Sequence, residues 1–259
     1  MRLNIYYLLI LTLSSGLFAK EFLEFGEKDF QKKIKKNNWM VDVSAQFMQY
    51  ETRFPEFTGE HIKVEDNDLY DMYGINIAIG KEFYFFGDFS VGFKTALFYN
   101  ENQRDETGKA AKDIDIDLSR DRTDYRMYGA QADLYLNYLI EMKSINLQPF
   151  IGTGLGLGIA EMEKRYTFDG ISTATPAISA ESYTADLREE FSYINTNIGI
   201  SFISRTGLIT TLKLTRIDTL KTNREVEGEI NGTDFKTKED DLEESVTNYM
   251  ASLGVGFFF

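Results

Sequence analysis

Six polar residues recur at a similar depth inside segments of alternating polarity, and they are the residues best placed to do chemistry together. They are Asp42, Asn76, Lys94, Asp133, Asn197 and Lys213. Lys94, Asp133 and Lys213 each lie five positions from one end of their alternating segment. Because side chains alternate across a strand, the six share the small or polar faces of their segments. The pattern predicts a belt of charges and amides inside a closed sheet.

Charge pairing is the first chemistry that such a belt offers. Lys94 and Asp133 lie on neighbouring segments and could pair directly, whereas Asp42 and Lys213 flank a segment with small inner residues. The two lysines and two aspartates cancel formally, as a narrow interior requires, since an unpaired buried charge is very costly. A structural salt-bridge plug is the plainer interpretation. A gate or narrow conduit for small solutes and a proton or substrate site are the functional alternatives.

Catalytic and metal chemistry find little support in the sequence. His61 is the single histidine, and no serine stands near it at a spacing typical of nucleophilic catalysis. Acidic runs occur in the polar stretches, and their oxygens could take Ca²⁺ or Mg²⁺, but none has the glycine and final glutamate of a calcium-binding loop. The sequence therefore predicts no catalytic residue, no metal site and no cofactor, and it indicates that His61 and the acidic runs are solvated loop surface.

Eight alternating segments must position the polar belt. They cover about 39–50, 70–81, 89–101, 124–138, 147–162, 190–203, 208–221 and 248–259. Long polar stretches (51–68, 102–123, 163–189 and 222–243) alternate with three short connections (82–88, 139–146 and 204–207). This layout predicts an all-β chain: an eight-stranded antiparallel up-and-down transmembrane β-barrel with short periplasmic turns and four long external loops.

Glycines and aromatics favour a membrane barrel over a soluble one with an apolar interior. Gly152, Gly154, Gly156 and Gly158 share one face of the fifth segment, and small residues suit the narrow interior of eight strands. Aromatic residues gather in two belts at the segment ends, as expected at two membrane interfaces. The belts comprise Trp39, Phe89, Tyr138, Phe202, Phe257 and Phe259 at the short-turn end, and Tyr99, Tyr128 and Tyr249 at the loop end.

Two stretches carry a resemblance to a known family. The fifth segment reads PFIGTGLGLG from position 149, and the chain ends on NYMASLGVGFFF. Together with the eight segments, they resemble the small OmpA-type and OmpW-type outer-membrane barrels over residues 39–259. In that family a terminal aromatic is part of the assembly signal, which the resemblance assigns to Phe259. The OmpW type implies a conduit for small hydrophobic solutes.

The amino terminus is typical of an exported protein. Residues 1–19 have one early arginine, an apolar core and a small residue at the end, which predicts a signal peptide. Residues 20–38 form a polar arm, interpreted as disordered or partly helical in the periplasm, or as an amphipathic helix on the membrane or inside the barrel. Removing residues 1–19 takes away one arginine and no acid, so the formal charge changes from −13 to −14, which disfavours nucleic acid as a partner.

The sequence leaves the function among three classes. The leading hypothesis is a non-enzymatic protein of the bacterial outer membrane with a structural, surface-interaction or adhesion role through its long acidic loops. A narrow passive channel is the second, and a lipid A-modifying enzyme is the third. The expected partners are outer-membrane lipid and lipopolysaccharide, the barrel-assembly machinery and an extracellular ligand of the loops.

Overall fold

A computed structural model describes residue 35 and residues 39–53, 57–58, 63–64, 67–107, 119–142, 145–168, 180–242 and 246–258. Eleven strands occur in this part of the chain. They are β1 (Trp39–Arg53), β2 (Phe57–Thr58), β3 (Lys63–Val64), β4 (Asn67–Phe86), β5 (Phe89–Thr107), β6 (Ser119–Tyr138), β7 (Ile145–Phe168), β8 (Glu181–Ser204), β9 (Leu208–Ile230), β10 (Thr233–Leu242) and β11 (Thr247–Phe258). Within the described residues, no helix has the length and apolar character needed to span a membrane.

Eight strands close into an antiparallel ring. Each of β1, β4, β5, β6, β7, β8, β9 and β11 pairs with its two neighbours, and β11 returns to pair with β1. A row of paired residues that starts at Val91 on β5 passes around the ring and returns to β5 at Glu101, ten residues closer to the loop end. This stagger tilts the strands, as closure of a small barrel requires. The predicted eight-stranded fold is confirmed.

The two faces of the ring differ as the alternation predicts. Leu97, Leu157 and Leu214 are more than 60% exposed on the outer face, whereas Asn76, Asp133 and Asn195 are buried on the inner face. An apolar outer surface with a polar interior is the arrangement of a barrel surrounded by lipid.

The strands extend further from the membrane than the sequence predicts. β7 and β8 have 24 residues each, about twice the 9–11 residues that cross a bilayer. Much of the predicted loop 163–189 is therefore strand, and the predicted fourth loop forms a hairpin of β9 and β10. Asn231 and Gly232 both have positive φ at its tip, as in a two-residue type I′ turn. The external connections after β7 and β9 are thus built largely of strand, which the sequence interpretation did not detect because charged side chains on the outer face hid the alternation.

Two apolar clusters fill the interior at different heights. The larger one, at the loop end, includes Met48, Met72 and Met250, which face each other on three neighbouring strands. The smaller one, at the turn end, contains Met40, Leu139, Ile203, Ile209 and Phe258. The polar part of the interior lies between these clusters.

An ion pair lies within the larger cluster, between Leu187 and Phe191 of β8. Here the barrel continues beyond the membrane as a sheet formed by the loop-end parts of β5 to β10, the extracellular sheet. Arg224 Nε donates to Glu189 Oε1 at 2.7 Å, and the Tyr50 hydroxyl donates to Glu189 Oε2 at 3.2 Å. Glu189 is 2% exposed, so the pair compensates a buried carboxylate. Tyr183 lies further from the membrane on β8, and burial of its side chain raises the pKa of its hydroxyl to about 12.

Lys35, from the predicted periplasmic arm, contacts the turn end of the barrel. Its Nζ lies 2.8 Å from Asp88 Oδ1, in the β4–β5 turn, and 3.5 Å from Glu141 Oε1, after β6. The hydrogen bond to Asp88 raises the pKa of Lys35. The signal-peptide prediction and the rest of the arm lie outside the described residues.

Charged residues form two regular rows across the outer face of the extracellular sheet. In the row nearer the membrane, charge alternates over six paired strands: Glu101, Arg126, Glu161, Arg188, Glu225 and Lys238. In the next row outward, four carboxylates lie on consecutive strands: Asp124, Glu163, Asp186 and Glu227. Opposite charges in paired positions stabilise a sheet and like charges destabilise it, so the first row favours this register. In the second row Arg122, Arg165 and Lys236 pair with Asp124, Glu163 and Glu227, and Asp186, which lies between Glu163 and Glu227, opposes the register.

Asp186→Asn should stabilise the extracellular sheet at neutral pH by roughly 0.5 kcal/mol, the size of a cross-strand charge effect. Partial burial and the neighbouring Glu163 and Glu227 raise the pKa of Asp186 in the folded sheet. Above that raised pKa the folded sheet carries the full repulsion, and the repulsion is lost as the pH falls through it. Amide hydrogen exchange of residues 183–190 should therefore slow at pH 7 and match wild type at about pH 3, below the ordinary Asp pKa of about 3.9.

Glu225→Gln is the matched control, because Glu225 lies between Arg188 and Lys238 in the alternating row. This variant should speed exchange in the same peptides. Equal effects of the two variants would show that the charge rows do not govern the stability of the sheet.

Candidate functional site

A polar cavity lies in the barrel interior between the two apolar clusters. Its volume is about 40 Å³, which is enough to hold water. Five of the six predicted belt residues line it: Asp42, Asn76, Lys94, Asp133 and Lys213. Asn197 lies beside the cavity and contacts it through Asp133.

Lys94 forms its ion pair across the interior. Its Nζ lies 2.8 Å from Asp42 Oδ2, two strands away on β1, although Asp133 is its direct partner in the β5–β6 register. The intervening β4 residue is Gly80, whose added Cβ would lie 2.6 Å from Lys94 Cγ. The missing side chain lets Lys94 lie over β4, so the predicted pairing of Lys94 with Asp133 is replaced by Lys94 with Asp42.

Asp133 is held by neutral donors. Its Oδ2 accepts from Gln131 Nε2 at 2.9 Å and from the Tyr135 hydroxyl at 3.0 Å. Its Oδ1 accepts from Asn195 Nδ2 at 2.8 Å and from Asn197 Nδ2 at 3.4 Å. Four donors satisfy the lone pairs of a carboxylate, which gives a physical reason why Lys94 pairs with Asp42 and not with Asp133.

The network around Asp133 extends to the next strands. Asn197 Oδ1 accepts from the Thr215 hydroxyl at 2.8 Å, and the Tyr193 hydroxyl donates to Gln131 Oε1 at 3.1 Å. Tyr193 fits because Gly156 faces it: a Cβ on Gly156 would lie 2.1 Å from the ring. The inward glycines of β7 thus make room for the aromatic side chains of β8.

Glu82 is a cavity residue that the sequence interpretation missed. It is 3% exposed, and its Oε2 accepts from Gln148 Nε2 at 2.9 Å and from Ser90 Oγ at 3.4 Å. Residues 82–88 read as a connection, but β4 continues to Phe86. The alternation of Phe83 and Phe85 with Glu82 and Tyr84 was the available signal.

Lys213 and Glu82 change the charge balance of the cavity. Asp42, Glu82 and Asp133 face Lys94 and Lys213, so the predicted cancellation of two pairs becomes three acids against two bases. Within the described residues Lys213 makes no ion pair or hydrogen bond, and its expected pairing with Asp42 is absent, since Asp42 binds Lys94. The cavity has room for water, which can solvate the ammonium of Lys213.

The arrangement offers no catalytic centre in the part of the chain described. No group of three or more metal-ligating side chains occurs there. His61 lies outside the described residues, as do most residues of the acidic loop runs. What the cavity can do chemically is hold charges and water in fixed places.

The predicted aromatic belts lie on the outer face where they are described. Trp39, Phe89, Tyr138, Tyr99, Tyr128 and Tyr249 are exposed, whereas Phe202 and Phe257 are half-buried and Phe259 lies outside the described residues. The Phe89 and Tyr138 rings pack at 4.7 Å. Tyr99 and Tyr128 donate their hydroxyls to Glu101 and Glu161, the next charged row. Each tyrosine thus joins the apolar band to the charged surface, as at a membrane interface.

A closed ring of eight tilted strands, an exposed apolar band and a polar interior together define a class of protein. The chain has the fold of an eight-stranded transmembrane β-barrel of the bacterial outer membrane, with its turn end toward the periplasm and its extended strands outside the cell.

The chain is similar to several solved structures at low sequence identity. Neisserial surface protein A shares 13% identity over 85% of this chain and 97% of its own, with a TM-score of 0.38. Ail of Yersinia pestis, in complex with the heparin analogue sucrose octasulfate, shares 14% over 86% and 99% (TM-score 0.34). A major outer membrane protein of Thermus thermophilus shares 10% over 85% and 99% (TM-score 0.41). No protein-family model and no curated protein matches the sequence.

Lys94→Met should destabilise the barrel by about 3 kcal/mol, because it leaves the carboxylate of Asp42 without its cation. The figure lies at the low end for a broken buried pair, since the cavity admits water. The double variant Asp42→Asn/Lys94→Met removes both charges and should recover most of the loss. Urea unfolding of the refolded protein, followed by tryptophan fluorescence of Trp39, measures both.

Lys81→Met is the control, because Lys81 lies outside the cavity against the rings of Trp39 and Phe83. It should change stability by less than about 1 kcal/mol. Equal destabilisation by the single and double cavity variants would contradict the coupling of Asp42 and Lys94.

Proposed function

We propose that the protein is a non-enzymatic surface-interaction barrel, which presents its extended extracellular sheet and acidic loops to a partner outside the cell. The observation that carries the proposal is the combination of a filled lumen with strands twice the length needed to cross the membrane. A filled lumen does not favour transport, and the additional strand length builds structure only on the outer side.

The extracellular sheet has the properties of a stable platform. Its inward face carries apolar side chains such as Tyr183, Leu187 and Val226, all at most 2% exposed. Tyr183 stacks on Phe235 of the β9–β10 hairpin at 6.1 Å. A platform that is packed on one side can hold its charged outer face and its loops in fixed positions, which lowers the entropy cost of binding a partner.

The charge of this surface favours a basic partner. The outer face carries the four-carboxylate row, and the chain as a whole has a formal charge of −13. Electrostatic complementarity raises association rates and rejects partners of like charge. Outer-membrane lipid and lipopolysaccharide are proposed as the surroundings of the barrel, and the assembly machinery as the partner that reads the terminal Phe259.

A narrow conduit is the second candidate, and the polar cavity is the observation that favours it. Lys213 and Lys94 with three carboxyl groups provide charges that could order a water file. Against conduction, Met48, Met72 and Met250 are at most 5% exposed at the loop end of the cavity, and Phe258 is 2% exposed at the other end. A conduit would require both clusters to rearrange.

A shortened hairpin should weaken the interaction without unfolding the barrel. Deletion of residues 225–228 and 235–238 removes four residues from each arm, which keeps the alternation of faces, the Asn231–Gly232 turn and the Arg224–Glu239 pair. Cells that display wild-type protein should adhere to wells coated with polylysine or laminin more than to wells coated with heparin. The variant should adhere less than wild type, because the shortened hairpin no longer holds the loops and the outer face in position.

An equal amount of barrel in the outer-membrane fraction, measured with an antibody to an epitope tag at the periplasmic amino terminus, is the control for this variant. Adhesion that survives the deletion, at equal display, would refute the role of the hairpin.

Conductance through the lumen can be measured separately. Wild-type protein in planar lipid bilayers should give no reproducible single-channel openings, because apolar side chains close the cavity at both ends. Reproducible openings that disappear in Lys213→Met would instead favour the conduit.

A further inference from the structure

The sequence contains one acceptor pattern for N-linked glycosylation, at the tip of the β9–β10 hairpin. Asn231, Gly232 and Thr233 match the pattern Asn-x-Ser/Thr, with a middle residue other than proline. No other asparagine of the 259 residues is followed two positions later by serine or threonine. Because such a pattern accepts a glycan only where it is accessible, its place in the fold decides its meaning.

The fold exposes this acceptor pattern. Asn231 and Gly232 form the two-residue turn, with φ angles of 49° and 82°, and both are exposed, as is Thr233. A Cβ added to Gly232 would have one atom within 4 Å, Glu229 Oε1 at 3.9 Å, at the end of a flexible side chain. The turn therefore lies in open space, and among the described residues nothing obstructs a bulky group on Asn231.

The turn also lies far outside the membrane. Arg216 of β9 pairs with Tyr249, which belongs to the loop-end aromatic belt. From there β9 continues to Ile230, about 45 Å of strand at 3.2–3.4 Å per residue. A sugar on the turn would thus be presented well beyond the lipid headgroups.

The side chain of Asn231 uses only its oxygen in the fold. Its Oδ1 accepts from the Ser182 backbone N–H at 2.8 Å, and its own backbone N–H donates to the Ser182 carbonyl at 3.0 Å. Its Nδ2 donates to no group in the described part of the chain. Since an N-linked glycan is attached through Nδ2, both bonds to Ser182 can remain when the sugar is present.

A carboxylate without a partner lies two positions before Asn231. Glu225 and Glu227 both pair with Lys236 across the hairpin. Glu229 is exposed and makes no ion pair within the described residues. Its carboxylate is therefore available to a cationic side chain of an enzyme that binds the turn.

We propose that Asn231 is the acceptor of an N-linked glycan, which a periplasmic oligosaccharyltransferase transfers from an oligosaccharide carried on a lipid pyrophosphate. Nδ2 of Asn231 forms a bond to C1 of the first sugar, while the bond from C1 to the pyrophosphate oxygen breaks. The lipid pyrophosphate leaves with the bonding electrons, and a base of the transferase takes the proton from Nδ2. The Thr233 hydroxyl and the Glu229 carboxylate bind the transferase on either side of the acceptor. This modification is independent of the proposed adhesion role.

The test is expression of the full chain in bacteria that carry a plasmid-encoded oligosaccharyltransferase and the enzymes that build its lipid-linked oligosaccharide. Intact mass spectrometry of the outer-membrane protein should show one added oligosaccharide, and fragmentation should place it on Asn231. Asn231→Gln and Thr233→Ala should each lose this mass, because the first removes the acceptor nitrogen and the second the hydroxyl. Thr233→Ser restores a hydroxyl and should keep the glycan.

Two glutamate variants test recognition by the transferase. Glu229→Gln should lower the fraction of glycosylated protein shortly after induction about tenfold, the effect of one lost charge-assisted hydrogen bond. Glu227→Gln is the matched control, since it makes the same change outside the acceptor pattern, and it should be glycosylated like wild type. Equal glycosylation of the two variants would refute the role of Glu229.

Three results would overturn the proposal. The first is wild-type protein without a glycan in cells that glycosylate a second exported acceptor protein. The second is a glycan that persists in Asn231→Gln, which places the modification elsewhere. The third is a glycosylated chain that lacks the heat-modifiable mobility of a folded barrel, because the turn would then not accommodate the sugar.

Discussion

Hydrogen bonding of the backbone in lipid is the constraint on which this structure depends. Since no water is available in the hydrocarbon, every N–H and C=O group of a spanning strand must find a partner within the protein. The chain meets this requirement when β11 pairs with β1 from Phe258 opposite Met40 to Tyr249 opposite Gln49. Ring closure then fixes the tilt, the narrow interior and the division into an apolar outer face and a polar inner face.

The narrow interior has its own consequences. Large inward side chains fit where a neighbouring strand supplies glycine, as Tyr193 fits against Gly156 and Lys94 lies over Gly80. Charges that remain inside must be paired or hydrogen-bonded, which Asp42 and Asp133 achieve in different ways, one through a lysine and the other through four neutral donors. The apolar clusters at both ends then separate this polar layer from the two solvents.

Outside the membrane the same strands obey other rules. Water can hydrogen-bond to a free sheet edge there, so β10 pairs with β9 alone among the described strands. The outer face carries charged residues at the positions where the membrane segment carries leucine. Paired rows of charge take the place of the apolar band, one with alternating signs and one with carboxylates side by side. The physical difference between lipid and water thus divides each long strand into two segments of different composition.

The sequence by itself determined the class of this protein. Alternation with period two, inward glycines and terminal aromatics are features of single strands, so they can be recognised without knowledge of the tertiary structure. It also placed Asp42, Asn76, Lys94, Asp133 and Lys213 on the face that lines one cavity. Only the tertiary structure decided that Lys94 binds Asp42, that Glu82 joins the cavity, and that residues 222–242 form a hairpin. These outcomes depend on the stagger of the ring and on the reach of side chains across it, which link residues far apart in sequence and leave no local pattern.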